Sequence, residues 1–276
     1  LILNATTASN YTTDNLTAHI TTSDEDLDDV KVIYNWYKDS NSISVLNMPF
    51  ENNSFATITA KDYSGFGNNG TIIGATWNAT GGYDGKGAYE FDGTDDYITV
   101  AEDNSLKWSS TQAFTKELWF KRTGTDASNY QVIIQQERTH LGLNKQTSGV
   151  CTSGFEIYTY ASGSAICSGT VAQQGTWYHF VIAYDNTDTI IYLNGEEAGR
   201  GTRTLESQSG DTNYFGSSSP LTSFFEGSIS TIRFYNRSLS ADQIYALYQN
   251  RTDEIVAAET SLHENWTVIA YPNDGK

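Results

Sequence analysis

Apolar and polar residues alternate with a period of two through much of the chain. Tyr97-Ile98-Thr99-Val100, Phe155-Glu156-Ile157-Tyr158-Thr159-Tyr160 and Thr189-Ile190-Ile191-Tyr192-Leu193 are the clearest runs. Successive side chains of a strand point to opposite faces, so this alternation predicts half-buried β-strands. Between the runs lie Ser64-Gly65, Asn69-Gly70, Gly81-Gly82, Asp92-Gly93 and Asn194-Gly195, which supply the positive φ that tight turns need. One segment reads as a helix, 241–249, where Ile244, Leu247 and Tyr248 share a face and Ser240 with Gln243 makes a capping box. Many short strands and one short helix predict an all-β sandwich, not an α/β fold.

With 276 residues the chain is long enough for one large sandwich or two domains. Tyr is frequent, with 18 residues, and Pro and Met are scarce, a palette suited to pleated surfaces and tight turns. The net charge of −17 argues against nucleic acid as a partner, because phosphate binding needs clustered Lys and Arg and the sequence has no such cluster. No apolar run approaches the ~18 residues that cross a bilayer. The chain opens at Leu1 without a basic leader and reads as processed or cut from something longer. The acidity fits either a plain solvated surface or one that meets Ca²⁺.

Cys151 and Cys167 flank a predicted hairpin. They form either a local disulfide, implying an oxidising compartment, or two buried thiols. The acceptor pattern N-x-[ST] occurs at Asn4, Asn10, Asn15, Asn52, Asn69, Asn78, Asn236, Asn250 and Asn265, which favours a glycosylated, secreted chain. No nucleophile elbow, zinc-protease helix, phosphate loop or C-x-x-C pair is present, and the four histidines, His19, His140, His179 and His263, are scattered.

From about residue 46 to 252 the order of motifs resembles the LamG-like jelly roll of the concanavalin A-like lectin and glucanase superfamily. The resemblance rests on Met48-Pro49-Phe50-Glu51, Asp62-Tyr63-Ser64-Gly65-Phe66-Gly67-Asn68-Asn69-Gly70, Ala88-Tyr89-Glu90-Phe91-Asp92-Gly93 with Asp96-Tyr97-Ile98, and Phe114-Thr115-Lys116-Glu117-Leu118-Trp119-Phe120. It continues in Gly175-Thr176-Trp177-Tyr178-His179, Tyr192-Leu193-Asn194-Gly195, and Phe225-Glu226-Gly227-Ser228-Ile229 running into Arg233-Phe234-Tyr235-Asn236-Arg237-Ser238-Leu239-Ser240. Trp119, Phe120, Trp177 and Phe180 are expected to fill the space between two facing sheets, and His179 to be a satisfied polar group beside a sheet.

The flanks resemble a split Ig-like sandwich. Asn15-Leu16-Thr17-Ala18-His19-Ile20 and Val32-Ile33-Tyr34-Asn35-Trp36-Tyr37 look like its strands B and C with Trp36 as core tryptophan, and Asn265-Trp266-Thr267-Val268-Ile269-Ala270 like its strand F. The resemblance therefore divides the chain into 1–45 (Ig-like, first part), 46–252 (jelly roll) and 253–276 (Ig-like, second part). Ala18 and Val268 stand where related modules carry a B–F disulfide, and apolar packing is expected instead. The chain stops at Lys276, where a strand G is expected to begin, which would leave an edge for a partner strand.

The resemblance also implies a calcium site in the first loop, with Asp62 and the carbonyls near Gly67 and Asn68 as ligands. The alternative for Asp62 is an Asx turn. The acidic run Asp24 to Asp29 reads as a second ion site or, more plainly, a solvated loop. Related hydrolases need paired carboxylates across a cleft; here Glu117 and Glu156 stand alone in their strands, and Asp95-Asp96 lies in a turn where adjacent carboxylates are expected to point apart.

The leading expectation is a non-enzymatic, extracellular structural or adhesive cell-surface protein, self-associating or bound to other surface proteins, in a filament or surface layer built by strand addition. The alternative is a Ca²⁺-dependent carbohydrate-binding module, and a glucanase comes third. No nucleic acid partner and no membrane span are expected.

Overall fold

The computed structural model describes residues 1–7, 11–25, 30–51, 59–125, 130–136, 139–145, 149–161, 163–203, 212–219 and 221–273. Asn10, Asn52 and Asp26 to Asp29 lie outside these residues.

Two eight-stranded antiparallel sheets form a jelly-roll sandwich. One, the open sheet, runs in the order Ser164–Val171, Glu156–Ala161, Thr139–Leu143, Gln131–Gln136, Asn213–Phe215, Tyr97–Val100, Gly70–Ile73 and Thr59–Ala60. The other, the covered sheet, runs Glu196–Thr202, Asp188–Leu193, Trp177–Tyr184, Phe114–Arg122, Glu226–Tyr235, Ala88–Asp92 and Thr76–Asn78, with Ser44–Met48 also pairing with Glu226–Tyr235. Between them lies one apolar core, including Leu46, Trp108, Phe114, Leu118, Phe120, Phe180, Phe215 and Phe234.

Period-two alternation corrects the expected placing of the aromatics. Phe120 and Phe180 enter this core, while Trp119, next to Phe120, turns to the opposite face and stacks on Tyr83 at 4.0 Å. Trp177 also stays outside the core, with the Lys121 ammonium 5.0 Å from its ring. Consecutive residues cannot share a face without a bulge in their own strand, and here the extra residue, Ser230, lies in the neighbouring Glu226–Tyr235 strand, while pairing with Trp177–Tyr184 runs unbroken through Trp119 and Phe120.

The flanking segments form two three-stranded sheets, Ile2–Ala5 with Leu16–His19 and Glu254–Ile255, and Trp266–Asn273 with Lys31–Lys38 and Asn41–Ser42. They share a second apolar cluster with the outer face of the covered sheet. Ala18, Trp36, Ile43 and Ile255 meet Val181, Ala183, Ile190, Tyr192 and Tyr235, with Val268 packed alongside. Trp36 donates its indole N–H to the Thr252 carbonyl at 3.0 Å.

The helix Ala241–Tyr248 seals this junction through Ile244 and Leu247. The Ser240 hydroxyl caps it by accepting from the Gln243 N–H, but the expected return bond from Gln243 is absent. Glu259 accepts the Ser240 N–H instead, and Gln243 bonds Glu254 and Val256. The box is thus replaced by a longer-range clamp that ties the helix to the chain following it. Among the described residues no helix is long and apolar enough to cross a membrane.

Candidate functional site

The two outer faces of the sandwich differ in chemistry. On the covered sheet, Glu117 faces outward and is fully buried beneath the helix and the flanking sheets. Its carboxylate accepts from Arg233 Nη1 at 2.8 Å and the Tyr235 hydroxyl at 3.0 Å, and lies 3.2 Å from His179 Nε2. Arg233 also donates Nε to the Asn47 side-chain oxygen, and Asn47 donates to the Tyr34 carbonyl. Burial pushes the Glu117 carboxyl up, but the Arg233 charge and the bonds from His179 and Tyr235 outweigh it and hold the group below the ordinary carboxylate range. Closed from solvent, this network joins the flanks to the sandwich.

The open sheet presents a continuous row of outward side chains across all eight strands. Thr59, Thr71, Thr99, Tyr214, Gln135, His140, Tyr160 and Ala165 are successive register partners. At ~4.8 Å per strand the row spans roughly 34 Å. The adjacent row, Ile98, Phe215, Ile134 and Leu141, is fully buried in the core, so alternation turns this one outward. Its members are half-buried or exposed. His140 stacks on Tyr160 with ring centroids 5.1 Å apart and 14° between planes, and Tyr97 lies 6.2 Å from Tyr214. Gln135 is fixed by mutual bonds with the Ser219 backbone.

His140 Nε2 sits 3.1 Å from the Tyr158 hydroxyl. Burial lowers the imidazole from 6.5 to about 4. At neutral pH it is therefore an uncharged hydrogen-bonding ring. Flat rings beside hydroxyl and amide groups, with little charge, suit a polyhydroxylated ligand that offers both C–H faces and hydroxyls.

The first loop differs from the expected calcium site. Asp62 Oδ1 accepts the N–H groups of Asn47 and Ser64, and Oδ2 accepts the Ser64 hydroxyl and the Asn68 N–H, at 2.6–2.9 Å. Asn68 turns its amide nitrogen to Val45 and Ser105, and Gly67 O accepts from Asn69 N–H. This set does not fit calcium, which wants six to eight oxygens converging on one point; four donors already converge on Asp62. The carboxylate works as the anchor of a turn. Asp95 and Asp96, expected to point apart, instead bring oxygens within 4.8 Å of each other and of Asp92. Asp96 accepts the Asp92 N–H, and burial raises its carboxyl.

Cys151 and Cys167 are joined in a disulfide. Beside it the buried Glu156 carboxylate accepts from Thr152, Ser153 and Gly169. Of the described sequons, Asn4, Asn69, Asn236, Asn250 and Asn265 are exposed. Asn15 and Asn78 are half-buried and engage the amide nitrogen a glycan would take, with Glu254 and Glu90 respectively.

Reading strands one at a time missed the Thr59–Ala165 row. Tyr158 and Tyr160 were visible as alternate residues of one run, but their partners come from distant segments.

These features define a sandwich with one sealed and one open face. The chain belongs to the concanavalin A-like lectin/glucanases superfamily, whose Laminin_G_3 family model matches residues 92–245. Solved structures share its fold. The binding domain of Paraclostridial Mosquitocidal Protein 1 aligns with TM-score 0.59 at 14% identity, over 75% of this chain and 52% of that one. Domain 4 of AbnA, a GH43 extracellular arabinanase from Geobacillus stearothermophilus, solved in complex with arabinotriose, aligns with TM-score 0.54 at 20% identity, over 75% of this chain and 98% of that one. The botulinum neurotoxin serotype D ligand binding domain, in complex with N-acetylneuraminic acid, aligns with TM-score 0.58 at 16% identity, over 76% of this chain and 51% of that one. The chain spans about half the length of the toxin domains it matches.

Glu117→Gln removes the counter-charge of a buried guanidinium and is expected to destabilise the protein by about 3 kcal/mol at pH 7. Because the Glu117 carboxyl is held low, its contribution is complete above the ordinary value of 4.5 and is lost as pH falls through the lower native value. The gap between wild type and variant in urea melts should therefore close in acid. A gap that is constant with pH would show that the carboxylate charge is not the source.

His140 adds a second contribution lost in acid, although here the fold favours the neutral form of the group. Its native value of about 4 lies below the ordinary 6.5, so the unfolded state binds the proton more tightly. Stability is full above 6.5 and should fall by roughly 3 kcal/mol as pH drops toward 4. Melts of His140→Gln should lack this component.

Proposed function

We propose that the protein is a non-catalytic, extracellular glycan-binding module of a surface protein, with the open sheet's outward row as its binding face. The observation that carries the reading is the juxtaposition of His140, Tyr160, Tyr214 and Tyr97 with Gln135, Thr99 and Thr71 on one half-exposed surface. The structural relatives solved with arabinotriose and with N-acetylneuraminic acid support a saccharide as ligand class. The disulfide and exposed sequons support an oxidising, extracellular setting, with Asn4, Asn69, Asn236, Asn250 and Asn265 as glycan acceptors. A non-catalytic role is supported by the state of the two strand carboxylates, since Glu117 and Glu156 are both buried and held by several donors.

The flanks act in this reading as a split Ig-like scaffold. Their strand sets, one holding Leu16–His19 and the other pairing Lys31–Lys38 with Trp266–Asn273 around Trp36, follow the division of strands B and C–F in such sandwiches.

Titration of an oligosaccharide panel, followed by amide chemical shifts, tests the binding face. A bound oligosaccharide should perturb residues 97–99, 135, 140, 160 and 214, and Tyr160→Ala or Tyr214→Ala should weaken it about tenfold, near 1.4 kcal/mol. Shifts confined to other surfaces would refute the assignment.

Assembly by strand addition is the second reading. It draws on Trp266–Asn273, which pairs on one side with Lys31–Lys38 and, among the described residues, with no strand on the other. Light-scattering mass should then rise with concentration. A monomer mass at every concentration would exclude it.

A further inference from the structure

A cleft of about 470 Å³ lies at the junction of sandwich and flanks, on the side of the covered sheet. Each cation that lines it is already engaged. Lys31 pairs with Asp84 at 2.9 Å, Arg233 with Glu117 at 2.8 Å, and Arg251 with Asp253 at 3.2 Å and with Glu254 at 2.6 Å. Lys86 has a partner as well. With its charges compensated from within, the cleft suits a neutral occupant. Hydroxyl groups fit such walls, because an ammonium carries three donors and a carboxylate about four acceptor sites, more than one ion pair uses. Val32 and Pro49 add apolar surface on which C–H groups can rest.

The chain carries an attachment point for such an occupant in the wall itself. Asn250 lines the cleft and heads the sequon Asn250-Arg251-Thr252, whose other two residues line it too. Asn250 follows the helix with φ 59°, the left-handed conformation that asparagine tolerates at a helix end. Its N–H donates to the Leu247 carbonyl at 3.0 Å and that of Arg251 to the Ala246 carbonyl at 2.9 Å, so the backbone there is fixed. The residue is exposed, and its side-chain oxygen accepts the Tyr83 hydroxyl at 2.8 Å. That bond orients the amide and leaves Nδ2, the atom a glycan takes, with no partner among the described residues. The sequon amides of Asn15, Asn78 and Asn236 are instead turned to Glu254, Glu90 and the Ser42 carbonyl.

We propose that Asn250 carries an N-linked glycan whose first sugar is seated in this cleft, against Val32, Pro49 and Lys86. The proposal rests on the reading of the exposed sequons as glycan acceptors. In the transfer, the bond between sugar C1 and the diphosphate oxygen of a lipid-linked donor breaks, C1 bonds to Asn250 Nδ2, the nitrogen gives up a proton, and the lipid diphosphate departs. Because the link is a single C–N bond, the first ring must lie beside its asparagine, and here the asparagine is part of the cleft wall. The seated sugar bridges the Lys31–Lys38 strand, the loop before Ala88–Asp92 and the end of the helix.

The whole chain secreted from a eukaryotic host that adds N-glycans, compared with the same chain from a bacterial periplasm that does not, tests the seat. Peptide mapping by mass spectrometry should find Asn250 occupied. Amide shifts of the two forms should differ at residues 31–34 and 84–86, which are distant in sequence from every exposed sequon. Peptide N-glycanase should release the Asn250 glycan from the native protein at least about tenfold more slowly than those of the other occupied sequons, a difference that denaturation removes. Asn250→Gln from the first host should show the unglycosylated shifts at 31–34 and 84–86; the comparison of wild type from the two hosts stands without it. No glycan at any sequon would overturn both the acceptor reading and this proposal. Glycans elsewhere with Asn250 bare, an occupied Asn250 with those amides unshifted, or release as fast as at the other sequons would overturn the seat and leave the acceptor reading standing.

Discussion

A carboxylate without solvent must find its counter-charge inside the protein, and Glu117 imposes that requirement on everything around it. It is fully buried on the outward face of the covered sheet. Leaving such a charge unpaired is among the costliest defects a fold can carry. Arg233 answers it from the neighbouring strand, Tyr235 and His179 supply further bonds, and Asn47 carries the network on to Tyr34 in the flanking sheet. The flanks and the sandwich are thus joined by a polar connection that works only when both are in place.

That connection sets the division of labour between the two faces. With the covered sheet committed to the helix and the flanks, the open sheet is the broad face left uncovered by them. The buried Asn35 side chain reinforces the arrangement, bonding Ser42 and Ser44 on one side and the Ser64 carbonyl of the first loop on the other. Asp62 completes the same corner with four accepted hydrogen bonds. A carboxylate expected to hold an ion instead organises backbone.

Much of the architecture was legible because it is local. Alternation located the strands, Asn194-Gly195 the hairpin, and the Ile244, Leu247 and Tyr248 face the helix. What failed to read was whatever depends on facing and register. Trp119 and Phe120 look equivalent in sequence, yet one enters the core and the other leaves it. Asp95 and Asp96 look divergent, yet a tight turn folds both toward Asp92. The open sheet's outward row joins residues more than 100 positions apart, including Tyr214 from a strand of only three residues; no pattern within one segment marks it.

The pairing of Lys31–Lys38 with Trp266–Asn273 has a mechanical side. Lys31 lies opposite Asn273, so the chain enters and leaves this ladder at neighbouring points. Tension applied between those two residues is borne by the eight register pairs of the ladder, in series, from its open end. The sandwich, hanging from the far side of that ladder as a closed excursion of the backbone, lies outside the line of a force applied between those two residues.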